Sequence, residues 1–442
     1  MKRALSSSVV APLGGHALLV FLLQLSILLL AALLLGKLAT RLKLPAIVGE
    51  LCAGVLLGPS VFHHLLPRLS GWLLPSAAGQ FHLLDAVGEL GALFLMGVMG
   101  TYFDSGMIRR RKRTVLTISG CCLFLPLALG VTTGFAVRGL AEPGKSHVVF
   151  ILFIGIVMSV TALPVIAKTL ADMDLLHRDI GQLTLAAGVL NDTFGWFMLS
   201  LVSALAVSGL GTLTVLRSIG YLIAVVVVAL LIGRPVVRWS FGRMNRIGEG
   251  APVVTVSVVL MLFCAAGTQA LGLEAPLGAF ICGILIGEYG KPDRAGLRPL
   301  ELSVQTVLAP IFFATAGLRM NLTLLVRPTV LGPAALILVV AIAGKFAGAY
   351  IGARASRLNN WEALALGAGM NCRGVVEVIV ALIGVQIGVL NPSTYTIVVF
   401  VAIVTSVMTP PLLRLAMRRV ETTTEETGRR MAYFGSSAAA SM

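Results

Sequence analysis

Charge is scarce in this chain. Asp, Glu, Lys and Arg make up 12% of its 442 residues while 57% are hydrophobic, and a mean hydropathy of +0.96 excludes a soluble fold of this length. Cysteine is sparse as well: Cys52, Cys121, Cys122, Cys264, Cys282 and Cys372 fall in or near apolar segments, without CxxC spacing or histidine partners. That argues against a disulfide framework and against structural zinc. Nor is there a small-x-small cleavage site after the first apolar run, from about Ala17 to Gly36. That run exceeds the usual apolar core of a secretory signal and is read as a first span, despite Lys2 and Arg3 ahead of it.

What is present is apolar sequence in membrane-length pieces. A spanning helix needs about 20 mostly apolar residues. Thirteen segments qualify or nearly do, at about 16–35, 46–66, 83–101, 114–137, 147–171, 179–208, 213–236, 251–271, 275–290, 301–326, 329–353, 361–387 and 393–416. The loops are short, and the tail of about 25 residues, with residues 421–428 and a small-residue finish at 436–442, leaves no room for a soluble regulatory domain. The net charge of +15 invites a nucleic-acid reading, but its distribution opposes one. With the N-terminus outside, the cytoplasmic loops, including Arg109–Arg113, Arg234–Arg246 and the tail from Arg414, hold 24 of the 34 Lys and Arg; eight lie opposite and two inside spans. This is the positive-inside asymmetry, so charge sets topology rather than marking a partner.

Within that apolar background a few polar residues stand out. Asp192 is the sole charge between Gly181 and Leu210, and a carboxylate at that depth costs about 2.5 to 3.5 kcal/mol on insertion scales. It reads as an ion or proton site, with a structural hydrogen bond or a pairing with Lys345 as the plainer alternative. Asn191 beside it is either interhelical glue or a carbonyl ligand of the kind alkali cations favour. Lys345 lies near the centre of the eleventh span; snorkelling or a structural pairing is its plainer reading. Burial penalises the charged form of either group, which lets a carboxylate trade a proton for a cation near physiological pH.

Two spans are interrupted, at Ser159-Val-Thr161-Ala-Leu-Pro164 and at Gly367-Ala-Gly369-Met-Asn371-Cys-Arg373-Gly374. They are seven spans apart, an odd offset, so they run in opposite directions. That is the arithmetic of an inverted repeat, which would aim half-helix termini at a common site; Gly/Pro kinks for close packing are the alternative. Arg373 and Glu377 would share a face if the backbone were helical between them, as a structural ion pair or as part of the path. Asp85 and Glu89 read as lining a wet funnel or capping a helix. Glu50 is deep and isolated.

Taken together these residues resemble the monovalent cation/proton antiporters, in the CPA2 branch that holds bacterial Na⁺/H⁺ antiporters and plant cation/H⁺ exchangers. The resemblance runs through Pro45 to Ser60 with Gly54, Gly58 and Pro59, then Ser159 to Ala167, Asn191-Asp192, Phe312-Phe313 with Gly317-Leu318, Gly344-Lys345-Phe346 and Asn371 to Glu377. It implies an all-α polytopic membrane protein of about thirteen transmembrane helices, with the inverted-repeat antiporter fold and two crossing broken helices. It further implies a homodimer in the bilayer, with a dimerisation part at about 16–101 and 251–326, a linker helix at about 213–236, a mobile core at about 114–208 and 329–416, and a cytoplasmic tail at 417–442.

By the same resemblance Asp192 carries cation and proton, and Ser159 and Thr161 or nearby carbonyls complete the cation shell. Lys345, Arg373 and Glu377 compensate charge. Electrogenic members carry Asp-Asp where this chain has Asn191-Asp192, which leaves Lys345 without its usual partner and implies electroneutral exchange. The distinction is energetic, because one net charge moved is worth about 2.3 kcal/mol per 100 mV, while one pH unit supplies about 1.4 kcal/mol. No cofactor is expected beyond transported Na⁺ or K⁺ and H⁺, and no enzymatic role. The competing readings are a gated K⁺ efflux channel-like system, and an organic-ion exporter or sensor on the same scaffold.

Overall fold

The structure is a computed structural model and describes residues 14–74, 78–102, 111–142, 144, 146–208, 212–244, 250–290, 294–423 and 426. Lys2, Arg3, Arg109, Arg110, Arg246 and the finish at 436–442 lie outside the described residues. Among those described, secondary structure is helical apart from one isolated antiparallel bridge between Ala141 and Leu390. This is what a chain in lipid must do, since hydrocarbon offers no partner to an unpaired N–H or C=O and a helix satisfies both internally. Among the described residues ten helices are long and apolar enough to cross a membrane, and three shorter apolar helices accompany them.

The helices in chain order are α1 (Gly15–Arg41), α2 (Ala46–Leu57), α3 (Ala78–Thr101), α4 (Lys112–Ala136), α5 (His147–Ser159), α6 (Leu163–Asp172) and α7 (Asp179–Ser208). They continue with α8 (Thr212–Val228), α9 (Arg234–Met244), α10 (Gly250–Ala270), α11 (Ala275–Leu285), α12 (Arg294–Ser303), α13 (Ala309–Leu318), α14 (Pro328–Ala355), α15 (Asn360–Met370), α16 (Val375–Gln386) and α17 (Pro392–Met417). Single π-turns at Ala229–Gly233 and Val304–Leu308 join α8 to α9 and α12 to α13. The thirteen expected segments correspond to these helices, with the fifth and twelfth each split in two.

Glycines set how closely the helices approach. A Cβ on Gly54 of α2 would lie 1.9 Å from the Ala314 carbonyl oxygen of α13, and one on Gly283 of α11 would lie 2.0 Å from the Gly97 oxygen of α3. Neither contact admits a side chain, which is how small residues let membrane helices pack backbone to backbone. The contact that matters most for the site joins α14 to α4. A Cβ on Gly348 would meet the Cys121 oxygen at 2.6 Å and one on Gly352 would meet the Ile118 Cα at 2.8 Å. Gly344, Gly348 and Gly352 repeat every fourth residue, so one stripe of α14 lies against α4, and Lys345 reaches across that seam.

The tail returns to the helix that carries Asp192. Glu426 accepts hydrogen bonds from the Asp179 amide at 2.6 Å and from Arg178 Nε at 3.0 Å, which places a carboxylate at the N-terminus of α7 where the helix dipole favours it.

Candidate functional site

Each broken helix stops for a local reason. Pro164 stands in the first turn of α6, where its missing N–H costs nothing, but its ring would collide with the carbonyl of Val160 if the helix ran on. Val160 is accordingly extended, at φ −66° and ψ 150°. The second break ends at Gly374, whose φ of +153° is a conformation side chains rarely adopt; a Cβ there would also lie 2.9 Å from Val165 Cγ2. The two breaks touch, because the Ala162 amide donates to the Cys372 carbonyl at 3.1 Å. The expected crossing of two opposed half-helix pairs is therefore present.

Four helix ends meet at that crossing, and buried charges match them. The last three carbonyls of α5 are held by cationic side chains. Arg373 donates from Nη1 to Val157 O at 2.8 Å and from Nη2 to Met158 O at 2.7 Å, while Lys345 Nζ donates to Ser159 O. At the start of α6 the sign reverses: Asp192 Oδ2 accepts from the Leu163 amide at 3.3 Å. Helix C-termini carry partial negative charge and N-termini partial positive charge. The break therefore provides a cation seat at Ser159 O and an anion seat at the Leu163 amide, on either side of three non-helical residues.

The residues singled out by sequence converge here. Ser159, Thr161, Asn191, Asp192, Lys345, Arg373 and Glu377 are all buried, with Asn191 and Lys345 fully so. Asp192 Oδ1 and Thr161 Oγ1 have no hydrogen-bond partner in the structure. The Ser159 hydroxyl bonds back to the Ile156 carbonyl at 2.9 Å, so its donor is used within its own helix.

For three of these readings the structure supplies the partners. Lys345, without the carboxylate partner that is usual in the resemblance, is held by neutral oxygens. Besides Ser159 O, it donates to Cys122 O at 3.3 Å, and the hydrogen-bond network orients the Asn191 amide with its oxygen 3.3 Å from Nζ and its nitrogen 2.6 Å from Ser119 Oγ. Three neutral oxygens have taken the place of a carboxylate. Arg373 and Glu377 pair at 3.1 Å although Gly374 breaks the helix between them, because Arg373 lies in the break and Glu377 in the first turn of α16. Asp85 pairs with Arg319 at 2.6 Å, and the exposed Glu89 accepts from Gln386 at 2.8 Å.

Sequence reasoning missed Ser119, which turns the Asn191 amide, and Ser406, whose hydroxyl donates to the Arg373 carbonyl. It also missed the backbone oxygens of Cys122 and Ala341 that receive Lys345 and Arg373. Among the described residues no group of three or more His, Cys, Asp or Glu is arranged to hold a metal.

Comparison with known proteins agrees with this geometry. The family model for the transmembrane sodium/hydrogen exchanger matches residues 26–417. The chain is 32% identical over 405 residues to Na(+)/H(+) antiporter NhaS4 of Synechocystis sp. (strain ATCC 27184 / PCC 6803 / Kazusa), covering 90% of this chain and 97% of that protein. It is 32% identical over 402 residues to Cation/H(+) antiporter 17 of Arabidopsis thaliana and 27% over 411 residues to K(+)/H(+) antiporter 1 of Saccharomyces cerevisiae (strain ATCC 204508 / S288c). These two alignments cover 90% and 91% of this chain but 48% and 47% of those proteins, so the chain spans about half the length of its plant and yeast relatives. In fold it is similar to the sodium proton antiporter MjNhaP1 from Methanocaldococcus jannaschii, with a TM-score of 0.62 at 16% identity over 91% of this chain and 99% of that one. The buried acid beside crossed half-helices and the family match across the membrane chain lead to one conclusion: this multi-pass membrane protein belongs to the transmembrane sodium/hydrogen exchanger family.

Proposed function

We propose that the protein is a monovalent cation/H⁺ antiporter that works by alternating access, in which a proton and a cation compete for Asp192. One observation carries this reading. Of the buried carboxylates at the crossing, Glu377 is ion-paired with Arg373 through Oε1 and keeps Oε2 unpartnered, whereas Asp192 has no ion pair among the described residues, is held by the Leu163 amide and keeps Oδ1 unpartnered. A carboxylate in that setting can be neutralised by a proton or by a cation, but not by both. Thr161 and Ser159, with nearby carbonyls, supply further oxygens to the cation. The relatives bear the names of antiporters of Na⁺, K⁺ or cations generally against H⁺, which disfavours the channel-like reading.

The cycle is electroneutral in this reading. Lys345 is held by neutral oxygens, so cation entry at Asp192 displaces no ion-pair partner and gives the lysine no reason to release its proton. The proposed architecture is a homodimer whose mobile core comprises about residues 114–208 and 329–416, with the N-terminus outside and the tail in the cytoplasm. Purified protein in liposomes, assayed by dequenching of a pH-sensitive dye with Na⁺, K⁺ or Li⁺ and with the membrane potential clamped, tests it. Cation-driven proton movement at a rate indifferent to the clamped potential is expected. A rate that follows the potential would exclude one-for-one exchange, and an unsaturable flux would restore the channel.

A further inference from the structure

We infer that Asn371 is a ligand of the transported cation, supplying an amide oxygen from the second helix break; the inference rests on the reading of Asp192 as the carrier. Asn371 is fully buried, at 0% exposure, and among the described residues neither its Oδ1 nor its Nδ2 has a hydrogen-bond partner. A buried amide with both ends unsatisfied is costly in any protein, and more so at a depth where no bulk water reaches. Other asparagines of this chain show what satisfaction looks like. Asn359 and Asn391 complete capping boxes with Glu362 and Thr394, and Asn191 spans Ser119 and Lys345. Asn371 instead caps the C-terminal end of α15, where its backbone amide bonds to Gly367 O at 3.2 Å and its side chain has no part in the cap.

Position supplies the second argument. The next residue, Cys372, accepts the hydrogen bond from Ala162 that joins the two breaks, and the residue before Ala162 is Thr161, whose hydroxyl is also buried without a partner. Asp192 is bonded to Leu163, one residue beyond Ala162, and its Oδ1 is likewise unpartnered. Three unsatisfied oxygens thus sit on three chain segments that are tied to each other by one backbone hydrogen bond of 3.1 Å and one backbone-to-carboxylate hydrogen bond of 3.3 Å. A hydroxyl, an amide oxygen and a carboxylate oxygen are the hard donors an alkali cation takes in place of its water shell. The amide is neutral, so it leaves the charge balance untouched and acts on affinity and ion choice alone.

Asn371→Leu removes both polar atoms at similar volume, and Asn371→Ser keeps a shorter oxygen. Both are reconstituted beside wild type and Asp192→Asn, with apparent KM measured for Na⁺, K⁺ and Li⁺ at one pH and cation-induced thermal stabilisation measured in detergent. The expected result is an apparent KM about tenfold or more higher in the leucine variant, loss of its stabilisation by cation, and a changed order among the three ions in the serine variant. If the leucine variant does not fold, the serine variant decides. Wild-type KM values for all three ions in the variants that fold, with Asp192→Asn inactive, would overturn the role of Asn371 and leave that of Asp192 standing. Exchange surviving in Asp192→Asn would instead overturn the reading on which the inference rests.

Discussion

Asp192→Asn is expected to reduce cation-driven pH change in proteoliposomes to the level of empty vesicles while the protein remains folded. The substitution is nearly isosteric, and an amide oxygen can still accept from the Leu163 amide that now bonds to Oδ2 at 3.3 Å. What disappears is the titratable charge, and with it the group that a proton and a cation share in the proposed cycle. Removing an unpaired carboxylate from membrane depth also relieves an insertion cost of about 2.5 to 3.5 kcal/mol. The melting temperature in detergent should therefore be at or above that of the wild type, which separates loss of transport from loss of fold.

Arg373→Met is expected to fail in the opposite way, through the fold. Arg373 is 1% exposed and its guanidinium bonds to Val157 O, Met158 O, Ala341 O and Glu377 Oε1. Truncation leaves one carboxylate and three carbonyls buried without their donor. Leaving a buried charge unpaired costs about 3 to 5 kcal/mol, enough to lower yield and melting temperature severely in a marginally stable protein. Adding Glu377→Leu removes the stranded carboxylate and should recover part of the loss, while the three carbonyls stay unsatisfied. Size-exclusion profiles and thermal melts of the single and double variants check this; full recovery in the double variant would mean that the ion pair, and not the capping of α5, is what Arg373 provides.

Much of this site was legible in the sequence because membrane depth makes polar residues conspicuous. Asp192 and Lys345 stand out as lone charges in apolar runs, and Ser159 to Pro164 and Gly367 to Gly374 announce broken helices by composition. The split of the fifth and twelfth spans, and the contact between the two breaks, follow from those signals. What stayed hidden involves the backbone. Nothing in the residue types says that Arg373 and Lys345 take the last three carbonyls of α5, since a carbonyl acceptor has no sequence signature. Asn191, where the resemblance led one to look for an aspartate, implied a lysine without its usual partner; the neutral oxygens that hold it, Cys122 O, Ser159 O and the Asn191 oxygen turned by Ser119, come from three separate elements and have no sequence signature. The partners of Asp85 and Glu89 were hidden because Arg319 and Gln386 lie more than two hundred residues away in the chain. The orphaned amide of Asn371 was invisible for a related reason: an asparagine at a helix end usually caps it with its side chain, and only the structure reveals that here the backbone alone takes part in the cap.

The central claim is competition between a proton and a cation for one carboxylate, and the pH dependence of the apparent KM tests it most directly. Initial exchange rates are measured in proteoliposomes over a series of cation concentrations, at half-unit pH steps, with the membrane potential clamped. If the two ions exclude each other at Asp192, apparent KM rises about tenfold for each unit of acidification below the pKa of the site, and the maximal rate at saturating cation stays the same. A KM that is flat across pH, with only the maximal rate changing, would mean that proton and cation bind at separate places, and would contradict the account.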